Sequence, residues 1–351
     1  MVSLLIPRSR LLSSLAVLAG ACALGAMPVN ERLDRRATPS GVQVGDTPTH
    51  TFHASPWNAV GVRSLEDLRG RPVLVEFWGT RCPPCVGTAV PASLKLQETF
   101  ADDLAVLFVE SQGSTPESAL SFALQQRWLG GHALWTSEAP FDTGSTSLPA
   151  FVLLGNDGRV LLSGNPITLH KEIERQVTEQ IKLRNNPPPD THPLVAPAWT
   201  EFARERYARA FESARAVQAV HAGDPAVLEV VAQSMAAFRR GLEARCARVA
   251  LRIDQAWFDE AAEELDALSK GVKGLTEFEE RVSLLRARLE DPARAEEREA
   301  ARQFGRLRAR FLDAGGDAGL AAELTRFAER RPGSVLAARA LDLVRLSRPV
   351  R

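Results

Sequence analysis

Residues 73–91 read VLVEFWGTRCPPCVGTAVP. The apolar run Val73 to Trp78 has the composition of a buried strand. Cys82 and Cys85 follow it, with Pro83 and Pro84 between them. Three kinds of chemistry use such a pair: half of a metal site, a structural staple, or redox exchange. A metal site needs a second pair of ligands. The chain has no other Cys-x-x-Cys, and its histidines (His50, His53, His132, His170, His192 and His221) show no ligand spacing. A staple more often joins distant segments, because closing so short a loop restrains little of the unfolded chain. A redox pair wants a strand that ends at a helix N-terminus, where the first thiolate meets unpaired amides and the helix dipole. Pro83 and Pro84 suit a first helical turn, where a missing N–H costs little. The order strand, cysteine pair, helix favours redox exchange over the other two.

Outward from this stretch the texture is that of an α/β domain. LAVLFVE at 104–110 is a second buried strand, and PASLKLQETF between the two reads as helix. TPESALSFALQQRW opens a helix with Thr115 as cap and Pro116 in the first turn. HALWT is a short strand, and FVLLGNDGRVLLSG a hairpin turning at Asn156-Asp157-Gly158. HKEIERQVTEQIKL closes the segment as an amphipathic helix. The expectation is a central mixed sheet flanked by helices over 49–184.

A Pro-rich stretch at 185–199 reads as an interdomain linker. Residues 200–351 read as all-helical. Leu228, Val231, Met235, Phe238, Leu242, Cys246, Val249 and Ile253 keep helical spacing behind an Asp224-Pro225 start. Further stripes run through Leu275 to Leu289, Phe304 to Phe311 and Leu320 to Phe327, and Ser334 can cap a last helix. AWFDEAAEELDAL and AERRPGSVLAARAL look like pieces of tetratricopeptide-type hairpins, without a clean 34-residue period.

The first 26 residues read as an export signal: Arg8 and Arg10 precede LLSSLAVLAGACALGA, short and apolar with small residues at its end. A spanning helix would need about 20 apolar residues, so this run of 16 is marginal for one. Ala19-Gly20-Ala21-Cys22 resembles a lipobox, with Leu18 one place early; an ordinary signal-peptidase site would cut the same bond. Export thus stands with two open versions, lipidated at Cys22 or soluble. Residues 27–48 read as a tether. Lys plus Arg and Asp plus Glu are equal at 43 each, and aromatics are 6% of the chain, which argues against nucleic acid as a partner. With Cys22 assigned to the signal, one pair and Cys246 remain, too few for a disulfide framework.

EFWGTRCPPC resembles the active-site segment of thioredoxin-fold proteins, and is most similar to the exported TlpA-like thiol-disulfide oxidoreductases. The likeness covers roughly 45–182. It includes the lead-in SLEDLRGRPVLVEFW, an extra helix-strand segment after the cysteines, and Leu148-Pro149 before the hairpin. It implies a thioredoxin fold, a cis proline at Pro149 beside the cysteines, and substrate backbone pairing at Leu148. It also implies Cys82 as attacking thiolate, Cys85 as resolving thiol and Glu76 as a buried proton carrier for Cys85. A Glu76 on a strand edge facing water is the alternative. Trp78 and Arg81 join Leu148 as expected substrate contacts.

Two departures stand out. Arg81 replaces the tryptophan usual before the first cysteine. There it either favours the Cys82 thiolate or is a solvated charge. Pro91 follows Cys85 by six residues, one more than the family's kink proline, so the helix is expected to start differently.

The resemblance implies thiol-disulfide exchange with extracytoplasmic protein substrates, as reductant first, with oxidation or isomerisation open. No nicotinamide or flavin motif is present, so no cofactor beyond the Cys82–Cys85 couple is expected, and electrons would come from a membrane partner. A competing reading makes the helical region an interaction scaffold with its own protein partner, carrying a redox-sensitive or inactive thioredoxin-like domain. Cys246 lies on an apolar stripe and reads as a packed small hydrophobe rather than a third exchanging thiol.

Overall fold

A computed structural model describes residues 41–184, 186–187 and 191–347. The stretch read as an export signal, Cys22 and most of the stretch read as a tether lie outside the described residues. The described part is built on a five-stranded sheet: β1 (Val73–Trp78), β2 (Ala105–Glu110), β3 (Leu134–Thr136), β4 (Ala150–Leu154) and β5 (Val160–Gly164). Their order is β3-β2-β1-β4-β5. β1, β2 and β3 run parallel, and β4 and β5 are antiparallel to their neighbours. With the helices that follow, this is the thioredoxin fold that the sequence implies.

The strand sequences explain the order. All six residues of β1 and all six of β2 are buried, as suits apolar runs covered on both faces. β5 lies at the edge, and its residues after Val160 are partly or fully exposed. The β4–β5 hairpin closes at Gly158, whose φ of +84° a residue with a side chain rarely adopts.

Three helices belong to this part: α1 (Val90–Phe100), α2 (Pro116–Gln125) and α3 (His170–Arg184). Thr115 caps α2, its Oγ1 accepting from the Ser118 amide at 3.2 Å. Along β1 the side chains alternate between two apolar clusters. Val73, Val75 and Phe77 pack under Phe52, Leu65 and Leu68. Leu74 and Trp78 belong to the other cluster, which contains Val90 and Leu96 of α1 and Ile173 of α3.

Eight further helices follow: α4 (Ala196–Ala203), α5 (Tyr207–Val220), α6 (Pro225–Asp254), α7 (Phe258–Gly271), α8 (Thr276–Glu290), α9 (Ala295–Asp313), α10 (Ala318–Glu329) and α11 (Val335–Leu346). The caps expected from sequence are present: Asp224 Oδ1 accepts from the Ala226 amide at 3.0 Å, and Ser334 Oγ from the Ala337 amide at 3.1 Å. The stripe on α6 is Val227, Val231, Phe238, Leu242, Cys246, Val249 and Ile253. Val227 rather than Leu228 is buried at its start. Helix lengths from 8 to 30 residues do not make an even helical-hairpin repeat. α4 begins at Ala196, inside the stretch read as linker, with Val195 and Ala198 buried.

The apolar cluster on the Trp78 face of the sheet continues into α4 to α11 without a break. Gly316, before α10, lies against Leu124 of α2, and Asn58 Oδ1 accepts from Arg308 Nη2 of α9 at 3.0 Å. No described helix is long and apolar enough to cross a membrane.

Candidate active site

β1 delivers the chain at Trp78 to a four-residue loop, and Cys82 stands at the start of the next helix. Pro83 and Pro84 occupy its first turn, as their missing N–H groups allow. The first N–H available in that turn is therefore that of Cys85. It points at Cys82 Sγ, at 3.3 Å. Cys82 and Cys85 are joined as a disulfide, with Cα atoms 5.2 Å apart. Cys82 is 6% exposed and Cys85 fully buried, so an incoming group reaches the first sulfur before the second.

The helix does not start as plain α-helix. Cys85–Ala89 form one turn of π-helix, and the Val90 amide bonds the Cys85 carbonyl five residues back. α1 continues from Val90 with Pro91 in its first turn. A π turn takes in one residue more than an α turn. Relative to the spacing that the family resemblance implies, the additional residue between Cys85 and Pro91 falls within this turn. The expectation of a different helix start is met in this local form.

Glu76 lies inside, not on a strand edge. Its side chain is fully buried, Ser93 Oγ of α1 donates to Oε2, and Oε1 has no partner among the described residues. Burial pushes its carboxyl up to about 8, against the smaller opposing pull of the Ser93 bond. A carboxyl raised to this range can release its proton near neutral pH and, once ionised, take one up again. Ser93 escaped the sequence reading. Its only signal was a small polar residue on an otherwise buried helix face.

The Leu148–Pro149 bond is cis. β4 begins at Ala150, paired with Phe77 in the β1–β4 ladder. One further step of that antiparallel ladder sets Pro149 across from Trp78, at the end of β1 from which the cysteine loop departs. Leu148 is half-buried. The fold thus brings Glu76, Trp78, Cys82, Cys85, Leu148 and Pro149 to the C-terminal end of the central strand.

Of the two further expected substrate contacts, Trp78 is buried and Arg81 is exposed. Trp78 is 1% exposed and packs edge-on to Trp128 and Trp135. It does line a cavity of about 530 Å³ with Trp57, Leu120 and Trp135. Arg81 is exposed, and its Nη2 donates to the Gln112 carbonyl at 3.1 Å. Its backbone amide donates to Gln112 Oε1 at 2.8 Å. Gln112 is held in turn by Glu110 Oε1, which accepts the Gln112 amide at 3.1 Å. The loop after β2 thereby braces the cysteine loop. At Gly79 a Cβ would come within 2.2 Å of the Gln112 side chain, so this close approach requires glycine. Glu110 and Gln112 were not read from sequence, because their roles exist only across two loops.

Cys246 is buried in α6, and burial raises its thiol above the ordinary value. We expect it to resist iodoacetamide in the native oxidised protein and to react only after denaturation. Rapid native labelling, read by mass spectrometry, would contradict its place in the core. Among the described residues no group of His, Cys, Asp and Glu could hold a metal ion.

No family model matches the chain. It is 50% identical over 46 residues to the thioredoxin-like protein YneN of Bacillus subtilis (strain 168), a match spanning 13% of this chain and 26% of that protein. Among solved structures, it resembles a thiol:disulfide interchange protein of the thioredoxin family from Chlorobium tepidum TLS, with 19% identity and a TM-score of 0.31. That likeness covers 40% of this chain and 99% of the other. The thioredoxin domain of a thiol-disulfide oxidoreductase from Bacteroides vulgatus is similar at 18% identity and a TM-score of 0.30, over 40% of this chain and 99% of its own.

Proposed function

We propose that the protein is a thiol-disulfide oxidoreductase that reduces disulfides in extracytoplasmic proteins through Cys82 and Cys85. The observation that carries this reading is the Cys85 amide aimed at Cys82 Sγ at the head of a helix. When the pair is reduced, the same amide and the helix dipole favour the Cys82 thiolate over the thiol.

In the proposed cycle the Cys82 thiolate attacks one sulfur of a substrate disulfide, forming a mixed disulfide and expelling the other sulfur as thiolate. Cys85 then loses its proton and attacks Cys82 Sγ. The substrate's second sulfur leaves, and the Cys82–Cys85 disulfide forms. The substrate gains two electrons and, with solvent, two protons. Glu76 is the proposed carrier for the Cys85 proton, and Pro149 and Leu148 the edge against which the substrate backbone lies. The couple itself serves in place of a cofactor. Restoring the dithiol takes two electrons and two protons from a dithiol donor, which we place in the membrane. The leader sequence supports work outside the cytoplasm, with Cys22 as an optional lipid anchor, and the helical region offers surface for a protein partner.

The test is thiol trapping with a Cys85→Ala variant, which should accumulate mixed disulfides that vanish when Cys82 is also replaced. A partner set indifferent to Cys82 would make the protein a scaffold instead. The potential of the couple in glutathione buffers fixes direction: about −270 mV or lower supports a reductant, and a value near −120 mV reverses it.

A further inference from the structure

Away from the cysteines, residues 55–63 and the helices α6, α9 and α11 enclose a second cavity, of about 350 Å³. Arg308 of α9 and Arg339 of α11 line it from two different helices. Each spends one bond on an uncharged oxygen: Arg308 Nη2 on Asn58 Oδ1 at 3.0 Å, Arg339 Nη2 on Gln255 Oε1 at 3.4 Å. Among the described residues, neither has a carboxylate at ion-pair distance, and their other N–H groups have no protein acceptor. Several half-buried arginines elsewhere in the helical region are paired with carboxylates, whereas Arg298 and Arg331 also meet only uncharged oxygens. Arg245 meets Glu205 and Glu264, Arg252 meets Glu264, and Arg286 meets Asp266.

Burial lowers the basicity of both groups, Arg339 to about 10, and the field of Arg308 lowers Arg339 further. An arginine in such a place cannot shed its charge near neutrality. Leaving it without a counter-charge costs stability. The nearby acids do not supply one. Glu260 acts on both only from a distance, and Asp342, on the cavity wall, is bonded to Arg345. Arg63 adds a third cation at the rim. The remaining wall is apolar, with Leu251, Phe304 and Leu343, and the Arg339 guanidinium lies 4.5 Å from the Trp257 ring centre.

We propose that this cavity binds a small organic oxyanion, its phosphate or carboxylate group meeting Arg308 and Arg339 and its apolar part lying on Leu251, Phe304 and Leu343. The volume suits a molecule of that size, and guanidinium forks suit both oxyanions. Neither cysteine lines this cavity, so the site is independent of disulfide exchange.

Phenyl phosphate and phenylacetate are the probes, with phenol as the neutral control, and the intrinsic fluorescence of Trp57 and Trp257 reports binding at low salt. Saturable binding of at least one anion is expected, with none of phenol, and the preferred anion tells phosphate from carboxylate. Arg308→Met and Arg339→Met should each weaken binding about tenfold or more. Arg339→Lys, which keeps the charge and the fold but loses the planar fork, should bind with an intermediate loss. Absence of saturable binding by both anions, or unchanged affinity in Arg339→Met and Arg339→Lys, would overturn the proposal. Far-UV circular dichroism of each variant separates lost binding from lost folding.

Discussion

Replacing Glu76 by glutamine should remove a pH-dependent instability and, with it, one limb of the exchange reaction's pH profile. Burial raises the carboxyl's pKa to about 8 in the folded protein, from the ordinary 4.5 of a free carboxyl. Below pH 4.5 both states are protonated and the group costs nothing. Between 4.5 and 8 the unfolded chain releases its proton while the folded one keeps it, so stability falls as pH rises. Above 8 the loss is complete and amounts to roughly 5 kcal/mol, at about 1.4 kcal/mol per pH unit. Urea midpoints of the oxidised protein should therefore drop across this window in the wild type relative to Glu76→Gln. Parallel curves for the two proteins would place the titration elsewhere. In exchange assays the variant should lose rate at the resolving step, as the proton-carrier role proposed for Glu76 requires. An unchanged rate and pH profile would retire Glu76 as the proton carrier.

The second large effect belongs to the helical region. Phe238 of α6 is fully buried and touches three rings, with centroids 4.5 Å from Phe202, 4.8 Å from Trp199 and 5.7 Å from Phe211. Phe238→Ala should lower stability by about 3–5 kcal/mol, the range for emptying such a site. Because one apolar cluster joins these helices to the sheet, the loss should appear in the unfolding of the whole described part. Circular dichroism and tryptophan fluorescence should follow a single shifted transition. Two separated transitions, with only the helical signal displaced, would show that the sheet holds its fold without that support.

The legible parts of the molecule were those encoded locally. Val73–Trp78 read as a buried strand because every residue but Glu76 is apolar, and Cys82 to Cys85 read as a helix start because prolines are tolerated there. The hairpin at Gly158 and the caps at Thr115, Asp224 and Ser334 are equally local signals. Pro149 took its meaning from a resemblance, since X-Pro alone does not announce a cis bond. What escaped is long-range. Ser93 matters only because α1 lies over Glu76, and Gln112 only because its loop folds back on Arg81. Arg308 and Arg339 carry no local signal, because their setting exists only where residues 55–63 line the same cavity. Helix α4 was hidden by the prolines around it, although Val195 at its cap and Ala198 within it are buried.

Counted as descent rather than as geometry, the π turn at Cys85–Ala89 is a bookmark. A helix that gains one residue in its middle must either rotate everything beyond the insertion by about 100° or confine the surplus to one loosened turn. Here the wider turn is confined to Cys85–Ala89, and beyond it Ser93 faces Glu76 and Leu96 the core. A comparison by spacing would score the Cys85–Pro91 interval as a mismatch and be tempted to open a gap at the cysteines. For the proline spacing that the family resemblance implies, the gap belongs a turn later, within residues 86–89.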